Sequence, residues 1–340
     1  MRALNIAIVG ATGVVGEALL NLLEERKFPI ATLYPLASER SAGQTVSFNK
    51  KNVGVEDVAT FDFRDADIAF FSAGNDVSKQ YAPEAAAAGC VVIDNTSCFR
   101  YDDAIPLVVP EVNPERIADY TKHGIIANPN CSTIQMVVVL KPIYDAVGIT
   151  RINVATYQAV AGTGKRAITE LVDQVGELLN GRAIKKPTVY PQQIAFNVLP
   201  HIDDFQENGY TREEMKMVWE TQKILDDKSI MVNPTAVRVP VLYGHSEAVH
   251  LELGSPMTAG DARKLLKKSP GIKVMDSPSK IKYPTALTDA VGQDDVLVGR
   301  IRQDISHPSG LNLWIVADNV RKGAATNAVQ IAEILHRDYL

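Results

Sequence analysis

Short apolar runs alternate with helical patterns through the first third of the chain. The runs LNIAIV, TLYPLA, DIAFFSA and CVVID are rich in Val, Ile and Ala, whereas residues 14–26 and the segment around EAAAAG have helical character. Strands that alternate with helices are typical of a parallel sheet with crossover helices. We therefore predict an α/β fold of the Rossmann type for residues 1–128.

The pattern changes after residue 128, where the expected strands are longer and alternate between apolar and polar positions. They are RINVATYQAV, TAVRVPVLYG, EAVHLEL and VLVGRIRQDI, with helices expected at about 164–180, 211–226 and 259–268. This alternation predicts an antiparallel or mixed α+β domain over residues 129–318. A last helix, at about 323–337, lies in the segment 319–340, which we expect to complete the first domain.

The composition is that of an ordinary globular protein and argues against several classes of function. The 340 residues suffice for two domains, and 35 Lys and Arg are outnumbered by 40 Asp and Glu, for a net charge of −5. Because there is no basic run, nucleic acid is not an expected partner. No apolar stretch approaches the roughly 18 residues of a membrane span, so a membrane is not expected either.

The cysteines indicate a reducing compartment. Cys90, Cys98 and Cys131 form neither a disulfide framework nor a paired metal-binding pattern, so no metal is expected and the cytoplasm is the predicted location. The first ten residues, MRALNIAIVG, carry one charge and run straight into a glycine turn. They are expected to form a buried strand and not a signal peptide.

The first expected strand ends in the glycine-rich sequence GATGVVG. Gly10, Gly13 and Gly16 have the spacing GxxGxxG, a variant of the dinucleotide-binding fingerprint, and they open a helix. A dinucleotide pyrophosphate binds at such a turn, against backbone N–H groups and the helix dipole. The alternative is that the turn only connects a strand to a helix. The position of the turn after the first strand of an α/β run favours cofactor binding.

The end of the second expected strand bears on the choice of cofactor. Proteins that bind NAD usually have a carboxylate there for the ribose 2′-hydroxyl, whereas this chain has LASERSAG. Ser38, Arg40 and Ser41 offer hydroxyls and a cation to a 2′-phosphate, which favours NADP. Glu39 is a carboxylate near the same place and leaves NAD, or a simple polar loop, as alternatives.

Cys131 stands in the sequence NPNCST, just before the apolar run IQMVVVL. This run is expected to form a helix, so Cys131 lies at its N-terminus, where the helix dipole favours a thiolate. The alternative for a single cysteine is a small buried apolar residue, which suits Cys90 in CVVID better. A nucleophilic cysteine beside a nicotinamide predicts oxidation of an aldehyde through a thioester, which water or phosphate then cleaves.

Seven segments together resemble the bacterial aspartate-β-semialdehyde dehydrogenase family, in order and over nearly the whole chain. They are GATGVVG, LASERSAG, DNTSCFR, NPNCST, TREEMKMVWETQKIL, VRVPVLYGHSE and DNVRKGAATNAVQIAE. The resemblance implies a Rossmann domain followed by a glyceraldehyde-phosphate-dehydrogenase-like domain that also forms a homodimer interface. It further implies NADP as cofactor, phosphate as second nucleophile, and a role in the synthesis of lysine, diaminopimelate, threonine, methionine and isoleucine.

The resemblance also implies the site, position by position. The catalytic residues would be Cys131 as nucleophile, His245 as acid and base, and Gln158 to orient the substrate. The substrate carboxylate and amino group would be bound by Arg238 and Glu213. Phosphate would be bound by Arg100, Asn130 and Lys216. Besides Gly10 and Ser38, the cofactor would contact Thr12, Gly13, Val14, Val15, Arg40, Ser41, Ala161, Gly162 and Asn319.

These residue types suit their roles on chemical grounds. The planar guanidinium of Arg238 can donate two parallel hydrogen bonds to a carboxylate, whereas the ammonium of Lys216 is a point charge suited to a small anion. A histidine with the ordinary pKa of about 6.5 can take the thiol proton and later exchange a proton with the tetrahedral oxygen.

The segment TREEMKMVWETQKIL also has a purely structural interpretation. Thr211 and Glu214 have the spacing of a capping box, so the acidic pair can serve only to begin a helix. Glu213 and Lys216 are three residues apart and can form a surface pair. In this interpretation the buried stripe of the helix consists of Met215, Val218, Trp219 and Leu225.

Two positions depart from the family pattern, and two other functions stay open. Ala161 stands where serine is expected, and Cys98, where alanine or serine is usual, is expected to be an oxidation-sensitive neighbour of the phosphate site. One alternative function is the reduction of a related acyl phosphate such as N-acetylglutamyl phosphate. The other is a catalytically silent nucleotide-binding paralogue.

Overall fold

The computed structural model describes residues 2–340, which divide into two compact units. The first unit contains the residues up to Asn130 together with Ala324–Leu340, and the second contains Cys131–Gly323. Each helix of the described chain falls short of the length or the hydropathy that a membrane span requires.

The first unit is built on a six-stranded sheet that is parallel throughout. The strands of this unit, in the sheet and in a separate hairpin, are β1 (Leu4–Val9), β2 (Ile30–Ala37), β3 (Thr45–Phe48), β4 (Lys51–Gly54), β5 (Glu56–Asp57), β6 (Ile68–Phe71), β7 (Val91–Asp94) and β8 (Ile125–Ala127). The sheet order is β5-β2-β1-β6-β7-β8, and β3 and β4 form a separate antiparallel hairpin. Helices α1 (Val14–Glu25) and α2 (Asn75–Ala87) are two of the connections.

The order of the strands identifies where a ligand binds in this unit. The chain passes from β1 to β2 on one side and later to β6 on the other, so the strand order reverses at β1. Ligands of open α/β sheets bind at such a switch point, beyond the carboxyl ends of the strands. The predicted Rossmann-type fold is thus confirmed, with the glycine turn at its switch point.

The second unit is built on a mixed six-stranded sheet, as the alternating strands predict. Its helices and strands are α3 (Cys131–Val147), β9 (Ile149–Gln158), α4 (Lys165–Leu179), α5 (Arg212–Ile224), β10 (Met231–Arg238), β11 (His245–Leu253), α6 (Ala259–Leu266), β12 (Ile272–Val274), β13 (Val296–Gln303) and β14 (Gly310–Ala317). The order is β10-β9-β11-β14-β13-β12, with β9 parallel to β10, β12 parallel to β13 and the other pairs antiparallel.

The two faces of this sheet have different environments. On β11, His245, Glu247 and Val249 alternate along one face and are buried, because α3 packs against that side. The opposite face, which carries Ser246 and Ala248, borders a groove of about 660 Å³. The site residues of β11 therefore lie on the covered face.

The last helix, α7 (Thr326–Asp338), belongs to the first unit. Its residues Ala328, Ile331 and Leu335 are fully buried in the apolar core that also contains residues of β1 and α1. An ion pair of 2.7 Å between Arg26 and Glu333 joins the end of α1 to α7. The C-terminal segment is therefore a structural part of the parallel-sheet unit.

Candidate active site

The glycine turn brings backbone very close to backbone between β1 and α1. Gly10 has φ +92°, and a Cβ at Gly16 would lie 2.2 Å from the Gly10 carbonyl oxygen, so neither position can accept a side chain without a shift of the backbone. Gly13 is the N-cap of α1 and has no side chain to accept from the first-turn N–H groups. Those donors suit an anion, so the turn fits a dinucleotide pyrophosphate.

The other predicted cofactor contacts of the first unit lie at the same edge of the sheet. Thr12, Val14 and Val15 are half-buried around the turn. Ser38 and Arg40 follow β2 and are exposed, and Ser41 donates its backbone N–H to the Ser38 carbonyl at 2.8 Å. Because β2 neighbours β1, the hydroxyls and the guanidinium stand where a ribose phosphate would be expected. Glu39 is also exposed in this turn.

Arg100 is held by a loop that a buried carboxylate anchors. Asp94, the last residue of β7, accepts hydrogen bonds from Ser78 Oγ at 2.9 Å, Thr96 N at 3.0 Å and Thr96 Oγ1 at 2.8 Å. Arg100 is 6% exposed and donates Nη2 to the Asn95 carbonyl at 2.8 Å. Burial raises the pKa of Asp94 although these donors and Arg100 oppose the shift.

The oxidation sensitivity expected of Cys98 has no support in its surroundings. Burial and then the nearby carboxylate of Asp94 raise the pKa of the Cys98 thiol, which disfavours the reactive thiolate. Cys90 is 1% exposed and burial raises its pKa to about 12, in keeping with a small core residue.

Cys131 is the first residue of α3, as the sequence predicts, and is half-buried. Asn130, which precedes it, is 7% exposed and belongs to the first unit. Gly323 lies directly against Cys131, since a Cβ at Gly323 would come within 2.8 Å of the Cys131 Cβ. The backbone of Cys131 is therefore held between the first turn of α3 and Gly323.

His245 is fully buried at the start of β11, and its protonation differs from the sequence-based expectation. Burial and then the charge of Arg238 lower the pKa of His245 from the ordinary value of about 6.5 to about 3. The backbone N–H of Ala159 donates to Nδ1 at 3.0 Å. Because Nδ1 is the acceptor, the neutral ring carries its proton on Nε2. Nε2 has no hydrogen-bond partner among residues 2–340.

Arg238 ends β10 beside His245 and is 5% exposed. Its Nη1 donates to the Ala159 carbonyl at 2.7 Å, and its guanidinium lies 6.0 Å from the centre of the Tyr190 ring. The Nε atom has no partner in the described part of the chain. A Cβ at Gly162 would lie 3.2 Å from Arg238 Nη1 and 3.4 Å from His245 Nε2, so glycine keeps the space beside both donors open.

A chain of charged and polar groups extends from the end of β9 to α5. Gln158 is 1% exposed and donates Nε2 to Glu213 Oε1 at 3.2 Å. Glu213 Oε2 lies 3.0 Å from Lys216 Nζ, which also contacts Asp203 at 2.7 Å. Burial alone lowers the pKa of Lys216, but Glu213 and Asp203 outweigh it and the net shift is upward. Lys216 is therefore a fully charged cation.

The structural interpretation of α5 is correct at its N-terminus and wrong for its buried stripe. Thr211 and Glu214 form the capping box, with reciprocal bonds of 3.3 Å and 2.7 Å. Trp219, however, is 39% exposed, whereas Glu213, which was a candidate for a surface pair, is buried. The buried side of α5 carries carboxylates because neighbouring N–H groups and Lys216 satisfy them.

Two further predicted cofactor contacts border the same region of the second unit. Asn319 accepts the Gly244 N–H on Oδ1 at 2.9 Å and so holds the residue before His245. Ala161 is 5% exposed in the short 3₁₀ turn Val160–Thr163 and donates its N–H to the Leu242 carbonyl at 3.1 Å.

The second unit contains all the catalytic and substrate-binding residues that the resemblance implies. Gln158, Glu213 and Lys216 form one connected group, and Arg238, His245 and Gly162 form another around Ala159. Arg100, Asn130 and the glycine turn belong to the first unit.

Sequence reasoning missed Ala159, Asp203 and Gly323. Ala159 acts through its backbone N–H and carbonyl groups, which residue type does not reveal. Gly323 lies in the segment DNVRKGAA, and its sequence context does not predict a contact with Cys131.

Two family models match, one in each half of the chain. The model described as semialdehyde dehydrogenase, NAD binding domain, matches residues 5–120. The model described as semialdehyde dehydrogenase, dimerisation domain, matches residues 140–322. A nicotinamide cofactor is consistent with the fit of the glycine turn.

The similar proteins and solved structures share the name aspartate-semialdehyde dehydrogenase. A Legionella pneumophila protein named aspartate-semialdehyde dehydrogenase is 73% identical over 339 residues, which make up 100% of this chain and 97% of that protein. Aspartate semialdehyde dehydrogenase II of Vibrio cholerae, complexed with ASA, has a TM-score of 0.98 at 60% identity, with 100% of both chains covered. The Candida albicans enzyme with NADP has a TM-score of 0.78 at 26% identity, covering 98% of this chain and 99% of that one.

Proposed function

The chain belongs to the aspartate-semialdehyde dehydrogenase family, and from this premise we propose the reaction and the role of each residue. The reaction is the reversible NADPH-dependent reductive dephosphorylation of L-aspartyl 4-phosphate to L-aspartate 4-semialdehyde and phosphate. The observation that carries the proposal is the pair of buried donors, Arg238 Nε and His245 Nε2, beside a space that Gly162 keeps open. Buried donors without a partner are costly unless a ligand satisfies them.

Arg238 and Glu213 recognise the two charged groups of an amino acid. The guanidinium of Arg238 binds the α-carboxylate as a planar fork, and the Glu213 carboxylate binds the ammonium. Gln158, hydrogen-bonded to Glu213, orients the substrate between them. A free ammonium is required for this arrangement, which favours aspartyl phosphate over the N-acetylated alternative.

Cys131 supplies the nucleophile. In the reductive direction its thiolate attacks the acyl carbon, the bond to the phosphate oxygen breaks, and phosphate leaves with the bonding electrons. The product is a thioester on Cys131. Its position at the start of α3 supports this role, because the helix N-terminus stabilises the negative sulfur.

His245 acts as a hydrogen-bond donor in this mechanism. Its Nε2 proton stabilises the negative oxygen that develops when the thioester carbon becomes tetrahedral, and the oxygen returns to a carbonyl as Cys131 leaves. With Nδ1 occupied by the Ala159 N–H, the neutral ring does not take the thiol proton on Nε2. This proposal replaces the proton transfers expected of His245 by a hydrogen bond from its Nε2–H to the tetrahedral oxygen.

Phosphate and cofactor are assigned to the remaining residues. Arg100, Asn130 and Lys216 bind phosphate, two of them as cations. NADP binds at Gly10, Gly13 and the residues after β2, where Arg40 and two serines suit the 2′-phosphate, with Ala161, Gly162 and Asn319 as the other contacts. When bound, the nicotinamide supplies or accepts the hydride. The absence of a hydroxyl at Ala161 is expected to weaken cofactor binding slightly.

The test is a coupled activity and adduct measurement. Purified protein with semialdehyde, NADP⁺ and phosphate should form NADPH, and the Cys131→Ala variant should bind cofactor without turnover. Mass spectrometry of protein quenched without phosphate should find an acyl adduct on Cys131. No phosphate-dependent NADPH formation, or turnover by the Cys131→Ala variant, would refute the proposal, and activity with NAD⁺ equal to that with NADP⁺ would refute the cofactor assignment.

We also propose a homodimer, formed through the outer face of the second sheet. The groove of about 660 Å³ on that face is lined by apolar and aromatic side chains, among them Tyr157, Ala248 and Trp314, and it lies within the segment matched by the dimerisation-domain model. Exposed aromatic surface of this kind is typical of subunit interfaces.

We place the enzyme in the cytoplasm, in the synthesis of lysine and diaminopimelate, threonine, methionine and isoleucine. The pathway assignment follows from the proposed reaction. The location is supported by the cysteines, because no disulfide joins any two of them in the described chain.

A further inference from the structure

Three asparagine side chains form a directed chain of hydrogen bonds in the first unit. Asn327 of α7 donates Nδ2 to Asn128 Oδ1 at 2.6 Å, and Asn128 donates Nδ2 to Asn95 Oδ1 at 3.0 Å. Asn95 in turn accepts the Arg100 guanidinium on its backbone carbonyl at 2.8 Å. The chain therefore ends at a residue that the proposed function assigns to phosphate.

Each of these amides has a defined orientation. Asn327 also donates to the Val108 carbonyl at 3.0 Å, Asn128 to the Ala324 carbonyl at 3.3 Å, and Asn95 to the Phe71 carbonyl at 3.2 Å. Turning any one carboxamide over would place donors against donors and acceptors against acceptors. Since Asn327 is 0% and Asn128 is 1% exposed, water cannot replace the lost partners without cost.

The same amides hold the second phosphate residue. Asn128 lies two positions before Asn130, and its own backbone N–H donates to the Asp94 carbonyl at 2.8 Å. Asp94 is the anchor of the loop that carries Arg100. Arg100 and the Asn-Pro-Asn segment are thus fixed to one network, whose far end lies 199 positions along the chain in the last helix.

We propose that Asn327, Asn128 and Asn95 position the phosphate site by fixing Arg100 and Asn130 relative to each other. Asn327 is a positioning residue, since its link to the phosphate residues runs through its hydrogen bond to Asn128. This inference rests on the proposed function, because it assumes that Arg100 and Asn130 bind phosphate.

The test compares two amide-to-leucine substitutions on the same helix. Asn327→Leu removes the donor to Asn128, whereas Gln330→Leu removes the 3.0 Å bond of Gln330 to Glu111, which has no part in the asparagine chain. With semialdehyde and NADP⁺ saturating, Asn327→Leu should raise the KM for phosphate about tenfold. The KM values for semialdehyde and NADP⁺ should stay within about twofold of wild type, and Gln330→Leu should leave all three unchanged.

An unchanged KM for phosphate in Asn327→Leu, or an equal rise in all three KM values, would overturn the proposal. If Asn327→Leu does not fold, Asn327→Asp keeps the size of the side chain, replaces the donor by an acceptor and should give the same selective rise. If the wild type shows no phosphate-dependent turnover, the proposed function fails. Calorimetric titration of inorganic phosphate into NADP⁺-loaded wild type and Asn327→Leu then tests the network alone, and equal affinities would overturn it.

Discussion

The backbone of a single residue, Ala159, orients both donors of the candidate site. Its N–H donates to His245 Nδ1, and its carbonyl accepts from Arg238 Nη1. The two peptide groups that meet at the Ala159 Cα therefore set the tautomer of the imidazole and the direction of the guanidinium. Because the interaction uses backbone atoms, the side chain at position 159 needs only to be small, so the role of Ala159 could not be predicted from its residue type.

The low pKa of His245 has a consequence for stability. Its folded value of about 3 lies below the ordinary value, so as the pH falls from 6.5 the unfolded chain takes up a proton that the folded chain does not. The folded state loses stability over that range. His245→Gln removes this proton uptake while its amide oxygen can still accept from Ala159.

We therefore expect the free energy of unfolding of wild type, minus that of His245→Gln, to be smaller at pH 5 than at pH 7.5 by about 2 kcal/mol. Urea unfolding at the two pH values measures this difference. His123→Gln, at an exposed position, is the control for loss of a histidine elsewhere. If the difference in unfolding free energy between wild type and His245→Gln does not change with pH, the imidazole has the same pKa in the folded and the unfolded chain, and the prediction is wrong.

Gly162 is expected to be sensitive to the smallest possible substitution. Gly162→Ala adds a Cβ 3.2 Å from Arg238 Nη1 and 3.4 Å from His245 Nε2, which displaces at least one donor. We expect kcat/KM for the semialdehyde to fall about tenfold, since the donors must move by a fraction of an ångström and a shift of about 1 Å can cost about 100-fold. Gly176→Ala in α4 is the matched control, because its Cβ would meet no atom within 4 Å. Equal kinetics for both variants would contradict the assigned geometry.

The N-terminus of α5 combines a structural and a functional carboxylate in adjacent positions. Glu214 accepts from the backbone N–H groups of Thr211 at 2.7 Å and Ala236 at 2.9 Å, so it fastens the helix to β10. Glu213 instead contacts the side chains of Gln158 and Lys216. Neighbouring residues of one helix are therefore expected to respond differently to the same substitution.

Glu213→Gln is expected to raise the KM for the semialdehyde at least tenfold with little change in Tm, because it removes the charge that binds the ammonium. Glu214→Gln is expected to lower the free energy of unfolding by about 1–2 kcal/mol with the KM unchanged, since one amide oxygen cannot serve two N–H donors. Steady-state kinetics and urea unfolding of both variants check this. Similar effects of the two substitutions would contradict the separation of roles.

The elements that the sequence predicted were those with long periodic patterns. Helices α4, α5 and α7 and the strands β9, β10, β11 and β13 of the second sheet were found, whereas β3 and β4 were missed. These two are four residues each, and the turn between them uses Asn49 and Lys50 at φ 49° and 61°. A two-residue turn with both φ positive usually has Asn-Gly, and Lys at the second position conceals it. β14 was missed as well, although GLNLWIVA is a plain apolar run.

The candidate site was predictable where side chains carry it and not where burial changes them. Cys131 was identified from its position before an apolar helix, which depends only on neighbouring residues. The pKa of His245 was not predictable, because it depends on complete burial and on the approach of the Arg238 side chain, and neither is visible in the sequence even though Arg238 is nearby in the chain. The prediction of the buried side of α5 failed because Glu213 is buried with a partner, Gln158, that lies on another element.

The two points where the chain passes between its units lie beside site residues. In the second unit, Gly323 lies against Cys131, and in the first, Asn128 donates to the carbonyl of Ala324 at 3.3 Å. The segment that enters the second unit and the segment that leaves it are thus fixed by contacts within each unit. Cys131, the proposed nucleophile, is held at the start of a long buried helix, and its neighbours in sequence are held by the asparagine chain.

The proposed dimer makes a prediction about the mass of the molecule in solution. In a two-fold symmetric interface the same patch occurs on both subunits, so a substitution on the outer face of β11 acts twice. Ala248→Arg adds a cation to a groove that already contains Arg300 and Arg302. Burial of these like charges together would be unfavourable in the dimer, whereas solvent screens them in the monomer.

Wild type is expected to have twice the chain mass of 37.0 kDa by light scattering, and Ala248→Arg the mass of a single chain at low micromolar concentration. Ala87→Arg, at an exposed position of α2 in the other unit, controls for the added charge and should remain dimeric. Thermal unfolding of each variant separates dissociation from misfolding. A monomeric wild type would contradict the proposed dimer. A dimeric Ala248→Arg variant would show that the dimer interface lies elsewhere, because interfaces of about 1,200–2,000 Å² rarely accept a new unpaired charge near their centre.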